Sequence, residues 1–97
     1  MLYLPMGKYC WETRPVPVEP GQLYMGGGRA IYARKPIPNS DGNIGRVDAV
    51  SLNNQKQAWS YRTRAPQTAA VLSTAGGLVF SGSWDRYIRA FDDQTGK

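Results

Sequence analysis

Apolar positions along this chain come in short runs broken by polar, glycine-rich or proline-rich stretches. "MLYLPMG" reads as a strand, and Pro5 assigns it to an edge or a bend because proline cannot donate to a sheet ladder. "RPVPVEPGQ", Arg14 to Gln22, carries three prolines and reads as an extended loop. "LYMGGGRAIYARKPIP" offers a strand on each side of Gly26-Gly27-Gly28, and "NSDGNIG" is a turn cluster in which Asp41-Gly42 signals chain reversal. "GRVDAVSL", "QAWSYR", "AAVLST", "GLVFSGS" and "RYIRAFD" follow, short and rich in β-branched or aromatic residues. No stretch sustains the 3.6-residue period of an amphipathic helix, so the chain is predicted to be all-β.

Two of these stretches repeat one another. Setting Ala49 on Ala90 brings Val50 onto Phe91, Asn53-Asn54 onto Gln94-Thr95 and Lys56 onto Lys97. In both copies a strand runs into a polar turn, and the return strand opens after a lysine. A period near 40 residues with about four short strands per unit is the pattern of a β-propeller blade. The predicted architecture is therefore about two four-stranded antiparallel blades, in repeat units 1–59 and 60–97. The second unit is incomplete, since the counterpart of Trp59 would fall just past Lys97. A blade buries a sheet face against each neighbour, so two blades leave apolar faces and strand edges to be covered. A fragment of a longer propeller is expected.

Composition narrows the function classes. Twelve Lys and Arg against seven Asp and Glu give a net charge of +5. These cations are scattered, apart from the pair Arg34-Lys35, rather than gathered in a stripe with stacking aromatics. A solvated basic surface is the better reading, and a nucleic-acid partner is not expected. There is no histidine, which removes histidine acid–base catalysis and His-ligated metal sites. Cys10 is the single cysteine, so no internal disulfide forms, and it reads as a small hydrophobe. No apolar run reaches the roughly 18 residues of a membrane helix, and the N-terminus lacks the pattern of a signal peptide.

The closing stretch "SGSWDRYIRAFDDQTGK" fits two propeller types. A WD-repeat blade, which would make the protein a non-enzymatic interaction scaffold, matches its Ser-Gly-Ser, Asp85, Ile88 and Thr-Gly-Lys. That family's Trp-Asp pair closes the strand, however, where Phe91-Asp92 stands, while Trp84-Asp85 comes before it. The histidine of the family's Gly-His element is missing too. An outer-membrane assembly factor built on a quinoprotein-like propeller is the other non-enzymatic alternative.

"STAGGLVFSGSWDRYIRAFDDQTGK" more closely resembles a blade of the quinoprotein alcohol dehydrogenases, with Ala90, Asp92, Thr95, Gly96 and Lys97 matching that family's Ala-x-Asp-x-x-Thr-Gly-Lys turn. Ala49 and Trp59 match the blade alanine and tryptophan one residue short, with Ser51 and Gln55 replacing Asp and Gly. "LYLPMGKYCWE" and "EPGQLYMGGG" also resemble the family's preceding segment.

The resemblance implies the C-terminal blades of an eight-bladed propeller in a periplasmic enzyme. Such an enzyme oxidises an alcohol by hydride transfer to pyrroloquinoline quinone beside Ca²⁺, and passes electrons to a cytochrome c or a quinone. It implies that the catalytic base and the ion ligands lie in other blades, so that this segment alone is inactive. Family members often carry, just before the "TAGG" hairpin, a tryptophan that contacts the quinone, followed by two glycines. Thr68, Ala69 and Ala70 stand at those positions, and Thr68 is the expected cofactor-binding residue, with Gln67 beside it able to assist. Arg62 and Arg64 flank this entry and read as solvated cations. Asp41, Asp48, Asp85, Asp92 and Asp93 read as structural. Gly96 is expected in the left-handed position of its turn, Gly76-Gly77 in a positive-φ hairpin, and the blade tryptophan flat between sheets.

Overall fold

A computed structural model describes residues 1–14, 17–23 and 31–97. Among these there is no helix. The strands are β1 (Leu2–Gly7), β2 (Tyr9–Arg14), β3 (Ile31–Pro36), β4 (Gly45–Val50), β5 (Gln57–Thr63), β6 (Val71–Ser73), β7 (Leu78–Gly82) and β8 (Ile88–Asp92). They form an antiparallel sheet β1-β4-β5, a hairpin β2-β3 and an antiparallel sheet β6-β7-β8. The all-β expectation is met, with three strands in each of the two larger sheets. The Gly26–Gly28 run lies outside the described residues.

The hairpin is an insertion between β1 and β4, which are themselves paired from Leu2↔Val50 to Gly7↔Gly45. Pro5 therefore sits on an edge strand, where its missing N–H costs no ladder bond.

The two sheets face each other through alternate side chains. Tyr3, Val47, Ala49, Trp59 and Tyr61 share one face of the first sheet, set by the pairs Tyr3↔Ala49, Ala49↔Trp59 and Val47↔Tyr61. Val71, Val79 and Phe91 line the facing side of the second, with Val79 opposite Phe91. Val47, Ala49, Trp59, Val79 and Phe91 are the buried core, and Tyr3, Tyr61 and Val71 pack against it. Trp59 stands between Tyr3 and Phe91, with ring centroids at 6.0 and 5.8 Å, and Tyr61 meets Phe91 at 4.9 Å.

The 41-residue repeat is visible in the turns. Ser51 N donates to Lys56 O at 2.9 Å and Gln55 N to Ser51 O at 2.9 Å. At the matching places Asp92 N donates to Lys97 O at 2.8 Å and Gly96 N to Asp92 O at 2.9 Å. Gln55 and Gly96 both take positive φ, 57° and 71°. The indole of Trp59 lies against the second turn and donates to Asp93 O at 2.9 Å. A Cβ at Gly96 would fall 2.6 Å from Trp59 Cδ2, so the left-handed angle favours glycine there and the ring requires it. In the β6–β7 hairpin, Gly77 takes positive φ (81°) and Gly76 does not.

Candidate functional site

Two loops meet at one end of the second sheet: residues 64–70, which carry the chain from β5 into β6, and residues 83–87 between β7 and β8. The second is a tight reversal. Ser83 N donates to Tyr87 O and Arg86 N to Ser83 O, both at 3.1 Å, and Arg86 takes φ 69°. Asp85 organises it by accepting from Tyr87 N at 3.2 Å and from Arg89 Nη2 at 2.6 Å, with the Ser83 hydroxyl also in contact. The Arg89 hydrogen bonds, then that of Ser83, hold the Asp85 carboxyl well below the usual carboxylate range. Asp85 is thus a structural anion with its oxygens engaged.

The loops are joined through Trp84. Its backbone N–H donates to Pro66 O at 3.2 Å, and its indole Nε1 donates to Thr68 Oγ1 at 2.6 Å. Between them opens a cleft of about 350 Å³ lined by Thr68, Ala69, Gly82, Ser83, Trp84, Arg86, Tyr87 and Ile88. Ala69 and Gly82 keep it open, since a Cβ on Gly82 would come within 3.3 Å of the Ala69 Cβ. With its oxygen accepting from the indole, Thr68 retains its own O–H to donate into the cleft. Arg86 brings the cation and Trp84 and Tyr87, 57% and 64% exposed, bring the rings.

The other residues singled out in the sequence go elsewhere. Gln67, next to Thr68, is buried, and its Oε1 accepts from Ser81 Oγ at 3.3 Å. It is a packing residue beneath the loop and does not line the cleft. Arg62 pairs with Asp41 at 3.0 Å on another part of the surface, beside Lys8 and Arg46. Arg64 is exposed and does not line the cleft either. Asp48 is buried in β4, where Arg46 Nε reaches both its oxygens at 2.8 and 2.7 Å. Burial is the largest single influence and pushes the Asp48 carboxyl up, but hydrogen bonding, from Arg46 first, together with the charges of Arg46 and Arg62 outweighs it and holds the pKa below the ordinary value. Asp92 accepts from Thr95 N, Thr95 Oγ1 and Gln94 N within its turn. Cys10 is exposed on β2 rather than buried, because the hairpin carrying it stands off the core.

Trp84, Tyr87 and Arg86 were not indicated by sequence reasoning. The available signal was an aromatic residue set in a Ser-x-Asp turn, where a polar residue would serve the turn equally well.

Over its whole length the chain is 32% identical to the lanthanide-dependent methanol dehydrogenase of Methylorubrum extorquens, of which it spans 16%. It is 33% identical to the quinoprotein ethanol dehydrogenase of Pseudomonas aeruginosa, again over its whole length, spanning 15% of that protein. The chain belongs to the quinoprotein alcohol dehydrogenase family. This quinoprotein segment is also 31% identical, over 89% of its own length, to the methanol dehydrogenase (cytochrome c) subunit 1 of Methylobacterium organophilum, of which it spans 14%. It thus covers about a sixth of the length of the curated relatives it matches. No protein-family model matches it. The cleft brings together two exposed rings, small residues, a hydroxyl and a cation.

Proposed function

We propose that this segment forms two consecutive blades of a pyrroloquinoline quinone-dependent alcohol dehydrogenase, one built on the β1-β4-β5 sheet and the next on the β6-β7-β8 sheet. In this reading the enzyme oxidises a primary or secondary alcohol to an aldehyde or ketone in the periplasm and passes electrons to a cytochrome c or a quinone. The observation that carries it is identity of about one third to several quinoprotein dehydrogenases along the whole segment.

The quinone, when bound beside Ca²⁺ or a similar ion, supplies the hydride acceptor. The chain's own residues hold and orient. The Thr68 hydroxyl donates to a carbonyl or carboxylate oxygen, and its distance to the indole is fixed by the hydrogen bond from Trp84. Arg86, in the cleft lining, offsets ligand charge. Ala69 and Gly82 admit a flat ring system where larger side chains would fill the space. The base that takes the alcohol proton and the ion ligands belong to other blades in this reading.

The test is alcohol-dependent dye reduction by the full-length protein, loaded with the quinone and either Ca²⁺ or a lanthanide. Reduction with primary alcohols from methanol to butanol is the expected result. Its absence with every loading, together with no measurable binding of the quinone, would overturn the reading. The isolated 97-residue chain is expected to give no turnover under the same conditions.

A further inference from the structure

Trp84, in the β7–β8 loop, is held by two other segments at once. Its backbone N–H and indole Nε1 donate to Pro66 O and Thr68 Oγ1 of the 64–70 loop, at 3.2 and 2.6 Å. The other hold comes from the β2–β3 hairpin, where Arg34 on β3 places its guanidinium 4.1 Å from the centroid of the Trp84 ring. The same guanidinium lies 4.8 Å from the ring of Trp11, its direct cross-strand partner, and 5.3 Å from that of Tyr9. Tyr9 and Trp11 meet edge to face at 5.6 Å, so rings of the hairpin and of the β7–β8 loop surround a single cation. Arg34 Nε is buried and makes no hydrogen bond, so this end of the side chain rests on ring contact. The hairpin strands pair with each other and, among the described residues, with no other strand. The base of the hairpin is fixed where Lys8 N donates to Ile44 O at 2.7 Å. Away from that base, Arg34 meets the second sheet's loop through Trp84.

We propose that the β2–β3 hairpin is a strap latched to the β7–β8 loop by Arg34, so that lifting of the hairpin and opening of the cleft are coupled. The cleft lies between the 64–70 and 83–87 loops, and Trp84 joins them. Drawing the 83–87 loop away breaks the bonds to Pro66 and Thr68 and also takes the indole from the guanidinium. With the hairpin lifted, only the two hydrogen bonds resist. Each segment therefore stabilises the closed position of the other, and the coupling is equal in both directions. The latch has two discrete states, with the cation seated among the rings or returned to water. Ring contact favours the seated state, while the buried Nε–H, which lacks an acceptor there and gains one in water, favours release. These opposed effects leave the latch poised to open. It governs access to the cleft whatever ligand fills it, and stands apart from the cofactor reading.

Hydrogen exchange in the full-length protein, read by mass spectrometry over residues 9–14 and 83–87, measures the two openings separately, and residues 92–97 report on the sheet beneath. Arg34→Ala is expected to speed exchange about fivefold in both segments, from the loss of one cation–π contact, with 92–97 unchanged. Arg34→Lys, which keeps the charge but not the planar guanidinium, is expected to fall between Arg34→Ala and the wild type. Trp84→Leu, acting from the other side, should speed exchange in 9–14 by a similar factor, and the double variant should add nothing further there. Trypsin gives a second reading, since cleavage after Arg86, inside the tight reversal, should accelerate about fivefold in Arg34→Ala. Faster exchange confined to 9–14 in Arg34→Ala, or no change in either segment, would uncouple the hairpin from the cleft and overturn the latch. Effects of Arg34→Ala and Trp84→Leu on 9–14 that multiply in the double variant would overturn it too. An equal rise at 92–97 would mark a global loss of stability and overturn it as well.

Discussion

The turns at 51–56 and 92–97 have the same hydrogen bonds and the same left-handed residue, yet Gln55 fills in one what Gly96 fills in the other. The difference lies in what packs above them. Trp59 covers the second turn so closely that any Cβ at Gly96 would strike the ring, while Gln55 is exposed. A backbone conformation alone does not demand glycine. A conformation with an indole resting on it does.

The largest effect is expected from removing the ring. Trp59→Ala in the full-length protein should cost about 3–5 kcal/mol, because the indole bridges both sheets and its loss leaves a cavity between Tyr3 and Phe91. Trp59→Phe keeps most of the apolar contact but loses the hydrogen bond to Asp93 O, at a cost of about 1–2 kcal/mol. Denaturant midpoints compare the two, and equal losses would mean that the hydrogen bond, not the ring, joins the sheets.

Gly96→Ala comes next. Left-handed strain alone amounts to about 1 kcal/mol, and displacement of Trp59 adds overpacking of about 1–3 kcal/mol. The contrasting substitution, Gln55→Gly, relieves the same strain without a ring to accommodate and should stabilise by no more than about 1 kcal/mol. Were Gly96→Ala as mild as a change at Gln55, the contact with Trp59 would not be what selects glycine.

How much of this was legible in the sequence depends on how local the determinant is. The strands, the reversal at Asp41-Gly42 and the matched turns follow from residues within a few positions of one another, and the 41-residue offset aligns Lys56 with Lys97 in the sequence itself. Gly96 in the left-handed region was readable for the same reason, whereas Gln55 there was hidden by a side chain that tolerates the angle without announcing it. The cleft was not readable from pattern. Thr68 was singled out through a family resemblance, and its contact with Trp84 crosses sixteen positions that no periodicity links. Arg34 reaches Trp84 from an inserted hairpin, and its pairing with Lys35 in the sequence suggested only a solvated charge. Gln67 misled in the opposite sense: a polar residue beside the expected site is buried because Ser81 supplies a partner from β7.

The smallest expected effect is electrostatic and separates the two turns by pH. Asp92 caps its turn with hydrogen bonds from the Thr95 hydroxyl and the N–H groups of Thr95 and Gln94, and these hold its carboxyl below the ordinary value of 3.8. A carboxyl whose pKa is lower in the folded than in the unfolded state binds fewer protons when folded. Its contribution is therefore fully present above the unfolded value, begins to fade as the pH drops toward it, and is lost as the pH falls through the folded value. Ser51 holds the same place in the first turn and has no proton to gain. Amide exchange at Gln94 and Thr95 should accelerate below about pH 4 relative to amides of the 51–56 turn. Because other carboxylates titrate over the same range, Asp92→Ser is the decisive comparison. It should weaken the turn at neutral pH and make its remaining protection follow that of residues 51–56 through the acid range. An acid-induced loss at Thr95 that persists in Asp92→Ser would trace the effect to a different carboxylate.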